Sequence, residues 1–267
     1  MSSANAPHTE PPRCPPARGL LADKTVVVTA AAGTGIGFAT ARRCAQEGAT
    51  VLLSDQHAGR LEACTERLSD EIGRPISRVV CDVRSEAQVR RLIERAESEF
   101  GRIDVLVNNA GLGMTRSVVD TSFEDWERVL DVNLNGAFRM MRAVLPGMRA
   151  RRSGSIVNVS SICAWRAEAG QSAYAASKAA LLALTRCAAL EAADRGVRIN
   201  AVVPSLALHA HLEKVSSPAF LRRMVAENEA FGRAAEPWEI GNAIVFLASD
   251  YAGTLTGEAL SVSCRRS

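Results

Sequence analysis

Tyr174 and Lys178 stand four residues apart in Tyr174-Ala175-Ala176-Ser177-Lys178, so on a helix both side chains project from one face. A phenol with a pKa near 10 is a poor base at neutral pH, and bringing it to about 7 takes roughly 4 kcal/mol. One ammonium about 4 Å away supplies roughly that much at an effective dielectric near 20. The pair is therefore a candidate acid–base for moving a proton to or from a substrate hydroxyl. Tyr-x-x-x-Lys also arises by chance in helices, where the phenol is a surface group and the lysine snorkels. The company the two residues keep has to decide.

Short β-branched runs alternate with amphipathic stretches from Lys24 onward. Strands are expected at Thr25–Thr29, Thr50–Ser54, Ser77–Cys81, Val105–Val107, Ser155–Val159, Val197–Val202 and Ala259–Val262. Helices are expected to begin near Gly35, Ala58, Ser85, Phe123, Ala173, His211 and Pro237. Strands separated by helices imply βαβ units with right-handed crossovers, and continuous apolar strands imply a sheet covered on both faces. The fold class is α/β: a single-domain, Rossmann-like, doubly wound fold with a seven-stranded parallel sheet and helices on both faces. The first nineteen residues (MSSANAPHTEPPRCPPARG) are proline-rich and polar, which predicts a disordered tail over residues 1–19 and a folded domain over 20–267.

The first strand leads into Thr29-Ala30-Ala31-Ala32-Gly33-Thr34-Gly35-Ile36-Gly37 and then a helix. Glycines there let backbone approach a pyrophosphate, and the helix start offers free N–H groups with a positive partial charge. Gly33, Gly35, Ile36 and Gly37 are the candidates for that contact. A glycine-rich turn is weak on its own, but strand, loop and helix come in the required order. Asp55 ends the second strand, twenty residues after Gly35, where a carboxylate accepts from adenosine ribose hydroxyls and repels a 2′-phosphate. The cofactor expected is NAD rather than NADP, with Arg60 the counter-argument. The alternative for Asp55 is a helix N-cap. Asp82 and Val83 after the third strand suit the adenine, although Asp82 could also cap the next helix. The run Asn108-Asn109-Ala110-Gly111 fits a turn passing close to a ligand, or a plain turn.

Composition excludes several classes. Of 267 residues 47% are hydrophobic, enough to bury a full core, and a net charge of +3 favours neither nucleic acid nor a membrane surface. Seven cysteines without a Cys-x-x-Cys pair argue against zinc and against a disulfide framework, so no metal is expected and the location expected is cytoplasmic. No run of eighteen apolar residues is present, so no membrane partner is expected.

The glycine turn ending Gly35-Ile36-Gly37, the Asn108–Gly111 run and Tyr174-Ala175-Ala176-Ser177-Lys178 together resemble the short-chain dehydrogenase/reductase family over about residues 20–263. The resemblance implies four catalytic positions: Asn133 in Asp131-Val132-Asn133-Leu134, Ser161 thirteen residues before Tyr174, and Tyr174 and Lys178 themselves. Ser160 is one position off the family's spacing. Ser161 would hold the substrate oxygen, Tyr174 would exchange its proton, and Asn133 would position a water relaying protons past Lys178. Asn109, Ala110, Gly111, Tyr174, Lys178 and Ala207 would line the cofactor. The sequence departs from the family at three places. The glycine loop is one residue longer, with Ala30 at its first glycine. Pro204-Ser205-Leu206-Ala207-Leu208-His209 puts His209 where the family has Thr, and the end reads Val262-Ser263-Cys264-Arg265.

The resemblance makes residues 205–231 a substrate lid, with Trp165 and His209 as candidate substrate contacts. Basic residues there (Lys214, Arg222, Arg223) would suit the phosphates of an acyl-CoA, or would be an ordinary solvated face. Val26–Gly37, Ala192–Ser205, Phe231–Glu239 and Leu255–Cys264 are similar to an actinobacterial branch of the family linked to breakdown of steroid C and D rings. There a hydroxy-indanone carboxyl-CoA thioester is oxidised at its ring hydroxyl. The activity implied is NAD-dependent interconversion of a secondary alcohol and a ketone on a small-molecule CoA thioester. A 3-oxoacyl thioester reductase and a general hydroxysteroid dehydrogenase are the alternatives. A nucleotide-binding sensor would be expected to lose Ser161, Tyr174 or Lys178, and all three are present. Ala173–Ala193 is small and apolar nearly all round, so its outer face is expected to pack on another subunit, giving a homo-oligomer, a tetramer or dimer.

Overall fold

The computed structural model describes residues 11–166, 168–209, 212, 214 and 217–263. The helix start expected at His211, part of the 1–19 tail, and Cys264 and Arg265 lie outside the described residues.

Seven strands make one sheet in the order β3-β2-β1-β4-β5-β6-β7. They are β1 (Thr25–Val28), β2 (Thr50–Asp55), β3 (Ser77–Val80), β4 (Val105–Asn108), β5 (Gly154–Val159), β6 (Val197–Pro204) and β7 (Ala259–Val262). Every neighbouring pair is parallel. Strand β6 runs two residues beyond its sequence-based end, because Val203 and Pro204 pair with Ser261 and Val262. The helices are α1 (Ile36–Gln46), α2 (Ala58–Ile72), α3 (Glu86–Phe100), α4 (Phe123–Leu130), α5 (Gly136–Arg151), α6 (Ser172–Ala193), α7 (Pro218–Asn228) and α8 (Pro237–Ala248).

Alternation along the strands fills two cores. Val26 and Val28 point to the side where Phe38, Leu61 and Ile240 bring in α1, α2 and α8. Val27, between them, points to the side where Leu92, Met140 and Ala188 bring in α3, α5 and α6. Central strands are thus buried on both faces, as their continuous apolar runs require. The edge strands differ: β3 alternates half-buried with exposed residues, and β7 is partly open.

The chain reverses direction across the sheet at β1, which has β2 on one side and β4 on the other. In such a sheet the crevice beyond the carboxyl ends at the reversal is the natural ligand site. The loops after β1, β4 and β5 all open there. Outward, α6 exposes Ala176, Ala179, Ala183 and Leu190, the last 80% accessible. Among the described residues no helix is long and apolar enough to cross a membrane, and no group of three or more His, Cys, Asp or Glu could hold a metal ion.

Candidate active site

The glycine loop after β1 is sewn to its neighbours. Thr29 Oγ1 accepts the Asn109 and Ala110 amides, each at 3.0 Å, and donates to the Val107 carbonyl at 3.3 Å. Asn109 Nδ2 donates to the carbonyls of Thr29 and Ala30, both at 3.1 Å. A Cβ on Gly37 would lie 2.4 Å from the Ala30 carbonyl oxygen and 2.4 Å from Asn109 Nδ2, so only glycine fits there. Gly35 is the N-cap of α1 with no side-chain cap and no acidic residue in the first turn, which leaves the helix-start amides and their positive partial charge facing the crevice. A dinucleotide pyrophosphate fits this cradle by both shape and charge.

Asp55 is not an N-cap, since His57 takes that position on α2. Its Oδ2 accepts the Ala32 amide at 3.2 Å and its Oδ1 the His57 amide at 2.9 Å, so the carboxylate stands against the glycine loop. Burial raises its pKa, and the Ala32 amide and Arg60 pull it back. Arg67, 34 residues from Gly33, donates to the Gly33 carbonyl at 3.3 Å while its guanidinium lies over the Phe38 ring at 4.0 Å. Asp82 does not cap α3 either; Ser85 does, accepting from Gln88. The Asp82 carboxylate is held by Arg84 at 2.7 Å, which keeps its pKa low. Val83 is buried against Gly136.

Beyond β5 the structure separates the two serines. Ser160 turns inward and donates to the Lys178 carbonyl at 3.0 Å, fixing α6 to the strand end. Ser161 lines an open cavity, accepts the Cys163 amide at 3.2 Å and stands close enough to Tyr174 to lower its pKa. Lys178 Nζ lies 5.7 Å from the centre of the Tyr174 ring and donates to the Val159 carbonyl at 2.7 Å. Burial pushes Lys178 down to about 8. Burial raises the Tyr174 phenol, the neighbouring Ser161 lowers it, and the neighbouring Cys163 raises it again. The arrangement thus brings phenol and ammonium together in a buried setting, where desolvation raises the phenol and lowers the lysine.

Asn133 sits in a π-helical turn (Asp131–Asn135) between α4 and α5 and is 1% exposed. Such one-residue insertions redirect a side chain out of helical register. Its Oδ1 accepts the Leu112 amide at 2.6 Å, while Nδ2 donates to the Leu112 carbonyl at 3.1 Å and to Ser177 Oγ at 2.9 Å. The side chain therefore ties the loop after β4 to α6. A Cβ on Gly111 would sit 3.4 Å from Lys178 Nζ and 3.7 Å from Asn133 Oδ1, so these three residues meet at one point.

The cavity beside Ser161 measures about 160 Å³ and is walled by Glu168 from the loop before α6 and by Ser205, Met224 and Glu229 from the 205–231 segment. Ala207 bridges to Ala235 at the base of that segment. His209, expected at the substrate, lies elsewhere: its ring carbons would be 3.7 and 3.8 Å from a Cβ on Gly35, on the glycine-loop side. Trp165 follows a short 3-10 turn (Ile162–Ala164), is 50% exposed and is not part of the cavity wall. Sequence reasoning missed Thr29, Arg67, Glu168 and Glu229. Only Thr29, directly before the glycine loop, offered a local signal.

Comparison with known proteins narrows the kind of protein this is. The family model described as Enoyl-(Acyl carrier protein) reductase matches residues 30–264. A Mycobacterium tuberculosis protein named (5R,7aS)-5-hydroxy-7a-methyl-1-oxo-2,3,5,6,7,7a-hexahydro-1H-indene-carboxyl-CoA reductase is 56% identical over 249 residues, 92% of this chain and 94% of that one. A cis-4-hydroxycyclohexanecarboxylate dehydrogenase of Sinomonas cyclohexanicum is 40% identical, covering 90% of this chain and 95% of its own. The crystal structure of a short chain dehydrogenase from Mycobacterium smegmatis superposes with a TM-score of 0.86 at 48% identity, over 97% of this chain and 99% of that one. With the cradle, the serine–tyrosine–lysine cluster and these relatives in agreement, this chain belongs to the short-chain dehydrogenase/reductase family and is an oxidoreductase.

Proposed function

We propose that the chain interconverts a secondary alcohol and a ketone on an alicyclic ring carried as a CoA thioester, using NAD. The observation that carries this reading is Ser161 at the wall of a ring-sized cavity, with Tyr174 close enough to feel it and Lys178 buried 5.7 Å from the Tyr174 ring centre. A cavity of about 160 Å³ is close to the roughly 150 Å³ that takes a benzene ring, which suits one carbocycle better than a long acyl chain. The name of the Mycobacterium tuberculosis relative supports a ring alcohol on a carboxyl-CoA thioester. Asp55 at the glycine loop supports NAD, because a 2′-phosphate beside that carboxylate would meet like charge. Gly33, Gly35, Ile36 and Gly37 hold the pyrophosphate, Asp82 and Val83 the adenine, and Asn109, Ala110, Gly111 and Ala207 the remaining length. When bound, the dinucleotide would supply the hydride acceptor for the carbinol carbon, and the positive charge of its oxidised ring would add to that of Lys178 in favouring the phenolate.

Ser161 holds the substrate oxygen and offers a hydrogen bond to the charge that develops there. Tyr174 accepts the alcohol proton during oxidation and returns it during reduction. Lys178 keeps a positive charge behind the phenol, and Asn133 fixes the loop that carries Gly111 past it. His209, against Gly35, belongs to the cofactor side in this reading, and Trp165 to the cavity's outer rim. The six described cysteines are all free thiols, which supports a cytoplasmic location, and the outward face of α6 supports self-association. The test is NAD⁺ reduction with CoA-linked alicyclic alcohols, run beside NADP⁺. Tyr174→Phe is expected to lower turnover about a thousandfold while NADH binding, read by fluorescence titration, stays within about threefold. Near-normal turnover in that variant sinks the assignment.

A further inference from the structure

The glycine loop is held from α2 as well as from the sheet. Gly33 adopts φ 156, a backbone conformation that a residue with a Cβ rarely reaches. Its carbonyl turns onto α2, where Arg67 Nη2 donates to it at 3.3 Å and Cys64 Sγ at 3.7 Å. Arg67 is itself steadied, with its guanidinium 4.0 Å over the Phe38 ring on α1 and its Nη2 4.0 Å from Cys64 Sγ. In a trans peptide the carbonyl and the following N–H point opposite ways. Drawing the Gly33 carbonyl toward α2 therefore turns the Thr34 N–H away from that helix. The Ala31 amide is already committed to the Ser54 carbonyl and the Ala32 amide to Asp55, whereas the Thr34 amide meets no acceptor among the described residues.

Resting on the dinucleotide reading above, we infer that Arg67 is a positioning residue for the cofactor: by holding the Gly33 carbonyl on α2, it keeps the Thr34 N–H, rather than a carbonyl oxygen, turned to the pyrophosphate. Glycine's freedom makes the Gly33–Thr34 peptide the one in this loop that turns over most readily. Turned over, it would withdraw a donor from an anion and set a carbonyl dipole against it. Hydrogen bonds to charged groups are the strong ones, and losing one lowers affinity roughly tenfold to a hundredfold. A peptide that is loosened rather than lost belongs at the lower end of that range. Arg67 acts through the peptide and touches no reacting atom, so its influence falls on binding and not on the proton and hydride chemistry at Tyr174. It stands on another helix, 34 residues from the glycine whose orientation it sets.

The experiment titrates NADH into the full chain by fluorescence and measures kcat and KM for NAD⁺ with a CoA-linked alicyclic alcohol. Arg67→Met keeps a flexible side chain over Phe38 and removes the donor. It is expected to raise the NADH Kd and the KM for NAD⁺ about tenfold, while kcat at saturating NAD⁺ stays within about twofold, the pattern of lost uniform binding. Arg67→Lys keeps a donor for the same carbonyl and should recover the Kd to within about threefold of wild type. Repeated at about 1 M NaCl, where charges are screened beyond roughly 3 Å, the ratio of Arg67→Met to wild-type Kd should persist. A ratio that collapses to one at high salt overturns the inference, since the arginine then acts by its charge alone. So does an Arg67→Met Kd within twofold of wild type, or a fall in kcat with KM unmoved. Thermal melts report whether each variant is folded. Should Arg67→Met not fold, Cys64→Ala removes only the second donor and should raise the NADH Kd about threefold; an unchanged Kd there overturns the inference instead. A wild type that binds neither NADH nor NADPH sinks the dinucleotide reading and this one with it, whereas NADH binding unmoved by the folded variants removes only the part given to Arg67.

Discussion

The two sides of the crevice are held by different means. On the cofactor side, Thr29 and Asn109 satisfy five backbone groups between them, so the loops after β1 and β4 are stitched through main chain. On the substrate side, the 205–231 segment closes at its base through the Ala207–Ala235 bridge and the Glu229 carboxylate. Stitched backbone fixes where a cofactor lies whatever the ligand brings. A polar side chain at a loop base both closes the segment and lines the pocket. Substitutions on the first side should therefore be felt as stability, and on the second as specificity.

Lys178 lies between these regions and offers the largest test of the contrast. It bonds the end of β5, yet its folded pKa near 8 lies below the ordinary 10.5. Between those values the unfolded chain binds more protons than the folded one, so wild-type stability rises as pH climbs from about 8 to 10.5 and is lowest, and flat, below 8. Replacing the charge with an apolar chain of similar length should remove that penalty. Lys178→Met is expected to cut turnover about a thousandfold. At pH 7 it should stabilise the fold by about 2 kcal/mol, since a penalty of roughly 3 is offset by about 1 for the lost bond to Val159. Thermal melts across pH 7 to 10.5 check it: the gain should shrink as pH rises. A variant that melts lower than wild type at pH 7 would show that the ammonium stabilises the stitched side, and the contrast would need redrawing.

Thr29 sharpens the same contrast with a smaller effect. Thr29→Val keeps the shape but leaves the Asn109 and Ala110 amides without their acceptor in a buried setting. The expected cost is about 2–3 kcal/mol, a melting point lower by roughly 5–10 °C for a domain of this size. Glu229→Gln, across the crevice, should lower melting by less than half as much, because the amide oxygen still accepts from Leu206. Differential scanning calorimetry of the two variants side by side decides. A larger drop for Glu229→Gln would reverse the assignment of which side is stability and which is specificity.

The same division explains what was legible in the sequence. The strand, glycine loop and helix of the cofactor side are contiguous, so Gly35, Gly37 and Asp55 are visible as a local pattern, and the seven-stranded parallel order follows from the alternation of elements. Tyr174 and Lys178 share a helix face four residues apart, and spacing alone brings them together. Glu229 reaches Ser205 from 24 residues away and Arg67 reaches Gly33 from 34, contacts that only the folded chain creates. Asp55 and Asp82 both read as possible caps, and the structure gives those positions to His57 and Ser85 because each acid lies at a strand end, before its helix. The net direction of the Tyr174 shift, set by burial, was also hidden. Proximity is readable from spacing, but desolvation depends on everything packed around the pair.

Ala30 supplies the smallest test. It occupies the family's first glycine position and adopts φ 50, the left-handed region that costs a residue with a Cβ about 1 kcal/mol. Ala30→Gly relieves that strain but adds about 0.5–1 kcal/mol of unfolded-state entropy, so the net change in stability should stay within about 0.5 kcal/mol. The more telling readout is cofactor affinity. If strain at Ala30 set the loop's position, relieving it would shift the cradle and change NADH binding. The Ala30 carbonyl is instead held by Asn109 Nδ2 at 3.1 Å, and Gly37 packs directly against it. The cradle's geometry then belongs to the stitching rather than to the strained residue. Titration should give an NADH Kd within about threefold of wild type, whereas a tenfold change in either direction would mean that the loop's own backbone, and not its neighbours, fixes the cofactor side.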